Sequence, residues 1–207
     1  MMKAGSPGHA KPRVIRALIL SVALVVAARV WHVNDSSVMP PVEVRKEGEE
    51  VALDGALLDD ANLEQTEGLV VTVTGCRLLS PDELAERYPA ARELLPPGRQ
   101  RSILCVTMRL SNEGVRDCRL NLGSVLAVTP DRCQYLVGDT SLWAAMEGIT
   151  GDSLVAGASL RSGDSCETCV PFTLNGGEER FQSELAHGTY RLQLSATPVR
   201  WCCDVVA

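Results

Sequence analysis

Histidine and aromatic residues are scarce in this chain, and their scarcity limits the kinds of active site that it can hold. Of 207 residues, 3 are histidine and 4% are aromatic. His9 and His32 precede the body of the chain, and His187 comes just before Gly188 in a predicted loop. The motifs H-E-x-x-H and G-x-S-x-G are absent, as is a glycine-rich phosphate loop. We therefore predict no catalytic residues, no cofactor and no enzymatic activity.

Acidic residues are absent from residues 1–33 and abundant in the rest of the chain. Five of the 20 basic residues lie in that segment, so 15 remain beside all 26 acidic residues in the body. An acidic domain repels phosphate backbones, which excludes nucleic acid as a partner. A basic leader before an acidic body is typical of an exported protein.

The leader, residues 1–33, contains a largely apolar stretch from Ala17 to Ala28. Counted over residues 14–33 it reaches the roughly 20 residues that a membrane helix needs, with Arg16 and Arg29 near its ends. We predict a single membrane anchor here, with the body outside the cytoplasm. A cleaved signal peptide is the alternative, since Val26-Ala27-Ala28 offers small residues for cleavage, and a buried soluble helix is the third.

The body is predicted to be a stalk, residues 34–47, followed by one β-domain, residues 48–207. Strands are expected near 51–53, over 69–79 with a bulge at Gly75, over 101–114, around Leu120, over 125–128, over 169–174 and over 188–198. Between them, Ser80, Pro81 and Glu83 form a capping box that predicts a short helix ending at Pro89. Several short strands separated by turns indicate an antiparallel β-sandwich.

Eight cysteines are present, and an even number in an exported chain favours disulfides. The candidates are Cys76, Cys105, Cys118, Cys133, Cys166, Cys169, Cys202 and Cys203. Cys118 and Cys133 flank two neighbouring predicted strands, so a bridge between them is one possible pairing.

The C-x-x-C at 166–169 allows three interpretations: a redox dithiol, part of a metal site, or two structural cysteines. A redox pair needs a helix after its first cysteine, and here a strand follows. In an extended chain Cys166 and Cys169 point to opposite faces. We therefore predict that they do not pair with each other, and that Cys166 lies toward the core. Each is expected to be free or bonded to a different partner, with Cys202 or Cys203 the favoured partner.

Tyr190 follows Gly188 at the start of the last strongly predicted strand. Together with Leu185, this spacing resembles the tyrosine corner of Greek-key sandwiches. We expect a structural role for Tyr190 and Gly188.

Taken in order, the segments resemble a family of exported bacterial immunoglobulin-like domains of unknown function. The resemblance covers residues 48–197 and is most specific at Asn112-Glu113-Gly114 and at the turn 162–165 that leads into 170–174. The family is similar in fold to a small secreted immunoprotective antigen of mycobacteria, so it implies an immunoglobulin-like sandwich. It implies no catalytic residues, and eight cysteines depart from its usual pattern.

These features predict an extracytoplasmic module that binds an unknown protein or surface ligand and contacts the membrane through residues 14–33. The alternatives are a thiol-disulfide oxidoreductase and a thiolate metal-binding protein, both using Cys166 and Cys169.

Overall fold

The computed structural model describes residues 12–36, 40–59, 62–95, 102–132, 134–149, 157–173 and 187–207. The chain divides into two units, Met1–Met39 and Pro40–Ala207. The first contains helix α1 (Pro12–Ser36), whose side chains from Ile19 to Trp31 are exposed. In the described part of the chain, no helix has both the length and the apolar character needed to cross a membrane.

The second unit is mainly β-structure, which confirms the predicted class. Its strands are β1 (Val42–Lys46), β2 (Glu50–Ala52), β3 (Leu69–Leu79), β4 (Ile103–Asn112), β5 (Cys118–Asn121), β6 (Leu126–Val128), β7 (Tyr135–Gly138), β8 (Gly157–Leu160), β9 (Ser165–Thr173), β10 (Thr189–Gln193) and β11 (Arg200–Val206). Its helices are α2 (Pro81–Arg87) and α3 (Thr140–Met146), with short 3-10 segments at Pro89–Leu94 and Leu122–Ser124.

Nine of the described strands form one sheet, and its two edges approach each other. The order is β1-β11-β10-β6-β7-β9-β4-β3-β2, while β5 and β8 pair separately. Strands β1 and β2 are at opposite edges, yet only residues 47–49 separate them along the chain. Such a tether spans roughly 10–14 Å, so the sheet must curl. The N–H of Gly48, in this tether, donates to the carbonyl of Val73 in β3 at 2.8 Å, which holds the tether against the sheet.

The main core lies on the inner face of this curled sheet. In β4, Leu104, Val106, Met108 and Leu110 are fully buried in one cluster, as the alternating pattern predicts. The same cluster includes Val51 of β2 and Val205 of β11, from strands near the two edges of the sheet.

A second, smaller cluster lies on the outer face of the sheet, under the helical insertion. Its buried members are Leu84, Ala91, Ile103, Cys105 and Leu142. The insertion therefore covers part of the sheet that would otherwise face solvent.

The predicted stalk at 34–47 is wrong in its second half, because Val42–Lys46 is β1 of the sheet. This strand pairs in parallel with β11, Val42 opposite Arg200 and Lys46 opposite Asp204. Val42-Glu43-Val44 alternates apolar and polar residues, but all five residues of the strand are exposed, so neither valine belongs to the core. Strands β7, β8 and β11 were also not predicted. The bulge near Gly75 is confirmed by the register shift between Val73 and Gly75.

Candidate functional site

A cleft of about 320 Å³ opens on the outer face of the sheet, beside α2. Its lining residues are Thr74, Gly75, Arg77, Leu79, Arg87, Tyr88, Cys105, Thr107, Glu167 and Cys169. We call it the thiol cleft. It combines two thiols, a phenol, two guanidinium groups and a carboxylate.

Outward-facing residues of β4 and β9 form the floor of the thiol cleft, and strand alternation and register decide which residues these are. Successive side chains of β4 alternate faces, so Cys105 and Thr107 point outward when Leu104 and Val106 point into the core. The register places Thr107 opposite Cys169 and Cys105 opposite Pro171. Cys105 and Cys169 are therefore diagonal neighbours on the same face of adjacent strands.

On the other side of β4, Arg77 of β3 lies directly opposite Cys105, and Gly75 lies opposite Thr107. Because residue 75 is glycine, this part of the floor carries no side chain. The guanidinium of Arg77 therefore lies on the same face as the two thiols.

The wall of the cleft is built by the capped helix α2. The Ser80 hydroxyl accepts the N–H of Glu83 at 3.2 Å, and a Glu83 carboxylate oxygen accepts the N–H of Ser80 at 2.7 Å. These bonds fix the start of the helix. Tyr88 is the C-cap residue, its N–H bonded to the Leu84 carbonyl at 2.8 Å. Pro89 follows and prevents the α-helix from continuing.

Cys105 and Cys169 form a hydrogen-bonded thiol pair. The hydrogen bond from Cys105 has the largest effect on the pKa of Cys169, which it lowers. Hydrogen bonds from the hydroxyls of Tyr88 and Thr107 and the nearby charge of Arg87 lower this pKa further. Together they lower the pKa of Cys169 to about 7 against the opposing effect of burial. The same hydrogen bond, together with burial, raises the pKa of Cys105. The pair therefore contains one thiol that ionises readily and one that stays protonated.

Cys166 lies on the opposite face from Cys169, as predicted. Cys166 is opposite Leu110 in the register and packs against the main core, whereas Cys169 packs against the outer cluster. The C-x-x-C therefore does not bring its two sulfurs to one site. Burial raises the pKa of Cys166, and the carboxylate of Glu147 adds to the effect.

The remaining cysteines are distributed over the domain. Cys76, Cys118 and Cys203 contact or belong to the main core, and Cys202 is buried in β11. The seven described cysteines are all free thiols, so a bridge from Cys166 or Cys169 to Cys202 or Cys203 is not formed in this structure. Cys133, and with it the possible bridge to Cys118, lies outside the described residues.

Tyr190 is fully buried in the main core, and burial raises its pKa to about 12. Gly188 exchanges backbone hydrogen bonds with Ala207 at 3.0 and 3.1 Å, which closes the end of the β10–β11 pair. Both residues thus have structural positions, and Leu185 lies outside the described residues.

The part of the chain that the structure describes contains no group of three or more His, Cys, Asp or Glu side chains arranged to hold a metal ion.

The model of the family described as "Domain of unknown function (DUF5028)" matches residues 42–201. The chain belongs to this family. The match covers most of the chain and confirms the resemblance to a family of unknown function. It begins at the first residue of β1 and ends in β11, so the DUF5028 match contains the whole thiol cleft.

Two solved structures are similar to this DUF5028 chain. The yjhA protein from Bacillus subtilis is 10% identical, with 78% of this chain and 98% of that chain covered and a TM-score of 0.38. The secreted protein MPT63 from Mycobacterium tuberculosis is 15% identical, with 83% of this chain and 100% of that chain covered and a TM-score of 0.38. No curated protein matches the chain.

Sequence reasoning missed the pairing of Cys105 with Cys169 in this DUF5028 domain. The two are 64 positions apart in the sequence, and only the β4–β9 register brings them together. One signal was available in the sequence. Strand alternation places the side chains of Cys105 and Cys169 on the outward face of their predicted strands, whereas it places Cys166 on the inward face.

Proposed function

We propose that this chain is an exported, membrane-anchored binding module and that the thiol cleft is its ligand site. In this proposal the β-domain is an immunoglobulin-like sandwich outside the cytoplasm. The observation that carries the proposal is the cleft itself, a concave site that groups polar side chains from three strands and a helix. Ligand sites of this kind combine a cavity with a few convergent polar groups.

The charges around the cleft favour a small anionic ligand. Arg77 and Arg87 are exposed and line the cleft together with a single carboxylate, that of Glu167. Guanidinium groups bind carboxylates and phosphates through paired hydrogen bonds. The Thr107 and Tyr88 hydroxyls supply further polar contacts within the same cavity.

Nuclear magnetic resonance titration of the isotope-labelled chain tests this site. We expect succinate or inorganic phosphate to shift the backbone amide signals of Thr107 and Tyr88, and the neutral diamide of succinate to leave them unchanged. Arg87→Ala should weaken binding, whereas Arg92→Ala, an exposed arginine that does not line the cleft, should not. Shifts confined to other surfaces would contradict the proposed site.

The membrane anchor is supported by the apolar stretch between Arg16 and Arg29 and by the absence of acidic residues before it. We expect the full chain to remain in the membrane fraction after a carbonate wash. A form in the medium that begins near Arg29 would identify a cleaved signal peptide instead.

The alternative functions based on Cys166 and Cys169, thiol-disulfide exchange or metal binding, have no observation in their favour. Their sulfurs lie on opposite faces of β9, so neither a bridge between them nor a shared ligand is available without rebuilding the strand.

A further inference from the structure

Among the seven cysteines in the described part of the chain, Cys105 and Cys169 are the two that line the thiol cleft together. Cys105 is buried at 4% exposure, while Cys169 is partly exposed at the cleft floor. One thiol is thus accessible to a small molecule, and a second lies within hydrogen-bonding contact of it. This arrangement goes beyond anion binding, because it offers a nucleophile with a second thiol beside it.

We propose that Cys169 and Cys105 are a thiol-disulfide exchange pair, with Cys169 as the attacking thiol and Cys105 as the resolving thiol. The substrate class is a small disulfide, and the cleft arginines favour one that carries acidic groups. The pair is separate from the C-x-x-C motif, in which only Cys169 takes part.

The exchange proceeds in two balanced steps. The Cys169 thiolate attacks one sulfur of the disulfide R–S–S–R, forming a mixed disulfide and releasing R–S⁻, which takes a proton from solvent. Cys105 then loses its proton and attacks the Cys169 sulfur, releasing the second R–S⁻. The net result is oxidation of the two cysteines to a bridge and reduction of R–S–S–R to two thiols.

The environment of each thiol suits its role. Attack requires a thiolate, and the hydrogen bonds from Cys105, Tyr88 and Thr107 hold the pKa of Cys169 at about 7. The protonated Cys105 is protected from solvent until the mixed disulfide forms. Diagonal cross-strand neighbours have Cα atoms roughly 7–8 Å apart, somewhat beyond the roughly 7 Å that a disulfide spans without backbone movement. The two strands must therefore shift slightly to close the bridge, and a bridge held under such strain is expected to be easily reduced again.

The other described cysteines provide a contrast. Burial raises the pKa values of Cys76, Cys118, Cys166, Cys202 and Cys203. At neutral pH they are protonated, and they should react slowly.

The test uses the full chain in detergent, reduced and desalted, and the acidic aromatic disulfide 5,5′-dithiobis(2-nitrobenzoate). A Cys133→Ser background removes the cysteine outside the described residues. We expect a rapid phase that releases two nitrothiobenzoate ions per chain and leaves no adduct by mass spectrometry. Its rate should rise through an apparent pKa near 7, set by Cys169.

Three substitutions separate the roles. Cys169→Ser should abolish the rapid phase, and Cys105→Ser should release one ion rapidly and retain one adduct on Cys169. Cys166→Ser, which changes the other cysteine of the C-x-x-C, should leave the rapid phase intact. Survival of the rapid phase in Cys169→Ser, or release of two ions by Cys105→Ser, would overturn the proposal.

Tyr88→Phe keeps the ring and both thiols, so it tests the mechanism even where a cysteine variant misfolds. It should move the apparent pKa of the rapid phase upward, toward the ordinary thiol value of about 8.5. An unchanged pKa would refute the role of this hydroxyl. Failure of anion binding in the titration above would leave this exchange chemistry standing, so the two proposals can fail separately.

Discussion

At the scale of single residues, side-chain direction decides what each cysteine can do. Cys166 and Cys169 are neighbours in sequence but are separated by the sheet. Cys105 and Cys169 are distant in sequence but share a face and a cavity. The chemical role of a strand cysteine therefore depends on which face of the sheet its side chain occupies and on its neighbours in the adjacent strand.

Asn112 provides a prediction at this scale, because its buried amide holds three segments together. Its Nδ2 donates to the carbonyls of Arg116 at 2.7 Å and Leu160 at 3.1 Å, and its Oδ1 accepts the N–H of Gly114 at 3.0 Å. Asn112→Ala leaves these groups without that partner, which should lower the free energy of unfolding by about 2–3 kcal/mol. Urea denaturation measures the loss. Ser111→Ala, on the adjacent position of the strand, serves as the control and should cost far less.

The ion pair between Arg191 and Asp204 provides a pH-dependent prediction. The two residues face each other across β10 and β11, with Nε–Oδ1 at 2.7 Å and Nη2–Oδ2 at 2.8 Å. The hydrogen bonds from Arg191 lower the pKa of Asp204. A lowered folded-state pKa stabilises the fold above the ordinary aspartate pKa, and the contribution is lost as pH falls through the lowered value.

Asp204→Asn should therefore reduce stability at pH 7 by about 0.5–1 kcal/mol, since the pair is partly exposed. The difference from wild type should shrink as the pH falls below about 4. Urea denaturation across this pH range measures it, with Glu43→Gln on an exposed strand as control. A difference that grew on acidification would contradict the assigned pKa direction.

At the scale of elements, the capping box positions the wall of the thiol cleft. Ser80→Ala removes the side-chain acceptor for the N–H of Glu83 and should destabilise the domain by about 1 kcal/mol. Because α2 ends at Tyr88, fraying of the helix should also disturb the hydroxyl that bonds Cys169.

The measurement for Ser80→Ala is urea denaturation together with the amide signals of α2. Ser80→Thr retains the hydroxyl and should restore both the stability and the signals. Equal losses in the two variants would mean that packing at this position, rather than capping, is responsible.

At the scale of the whole molecule, the boundary of the folded domain is the clearest prediction. A chain that starts at Pro40 should fold cooperatively with a β-dominated circular dichroism spectrum, since residues 40–207 form one unit. A chain that starts at Glu47 lacks β1 and should be less stable and more prone to aggregate. Without β1, the β11 edge is unpaired and Trp201 loses the guanidinium of Arg45, which lies 5.2 Å from its ring centroid.

If the chains that start at Pro40 and Glu47 are equally stable, β1 does not contribute to the fold, and the stalk extends to residue 47 as the sequence predicted. A predominantly helical spectrum from either chain would contradict the β-domain itself.

The sequence by itself determined the features that depend on local pattern. Alternation in β4 identified its buried face, the capping box located α2, and parity separated Cys166 from Cys169. These were predictable because neighbouring residues carry the whole signal. The tertiary structure alone decided the place of β1, whose exposed residues join the sheet through a partner more than 150 positions away. It also decided the thiol pair, because the register between two strands distant in sequence is set by the packing of the entire core and not by either strand alone.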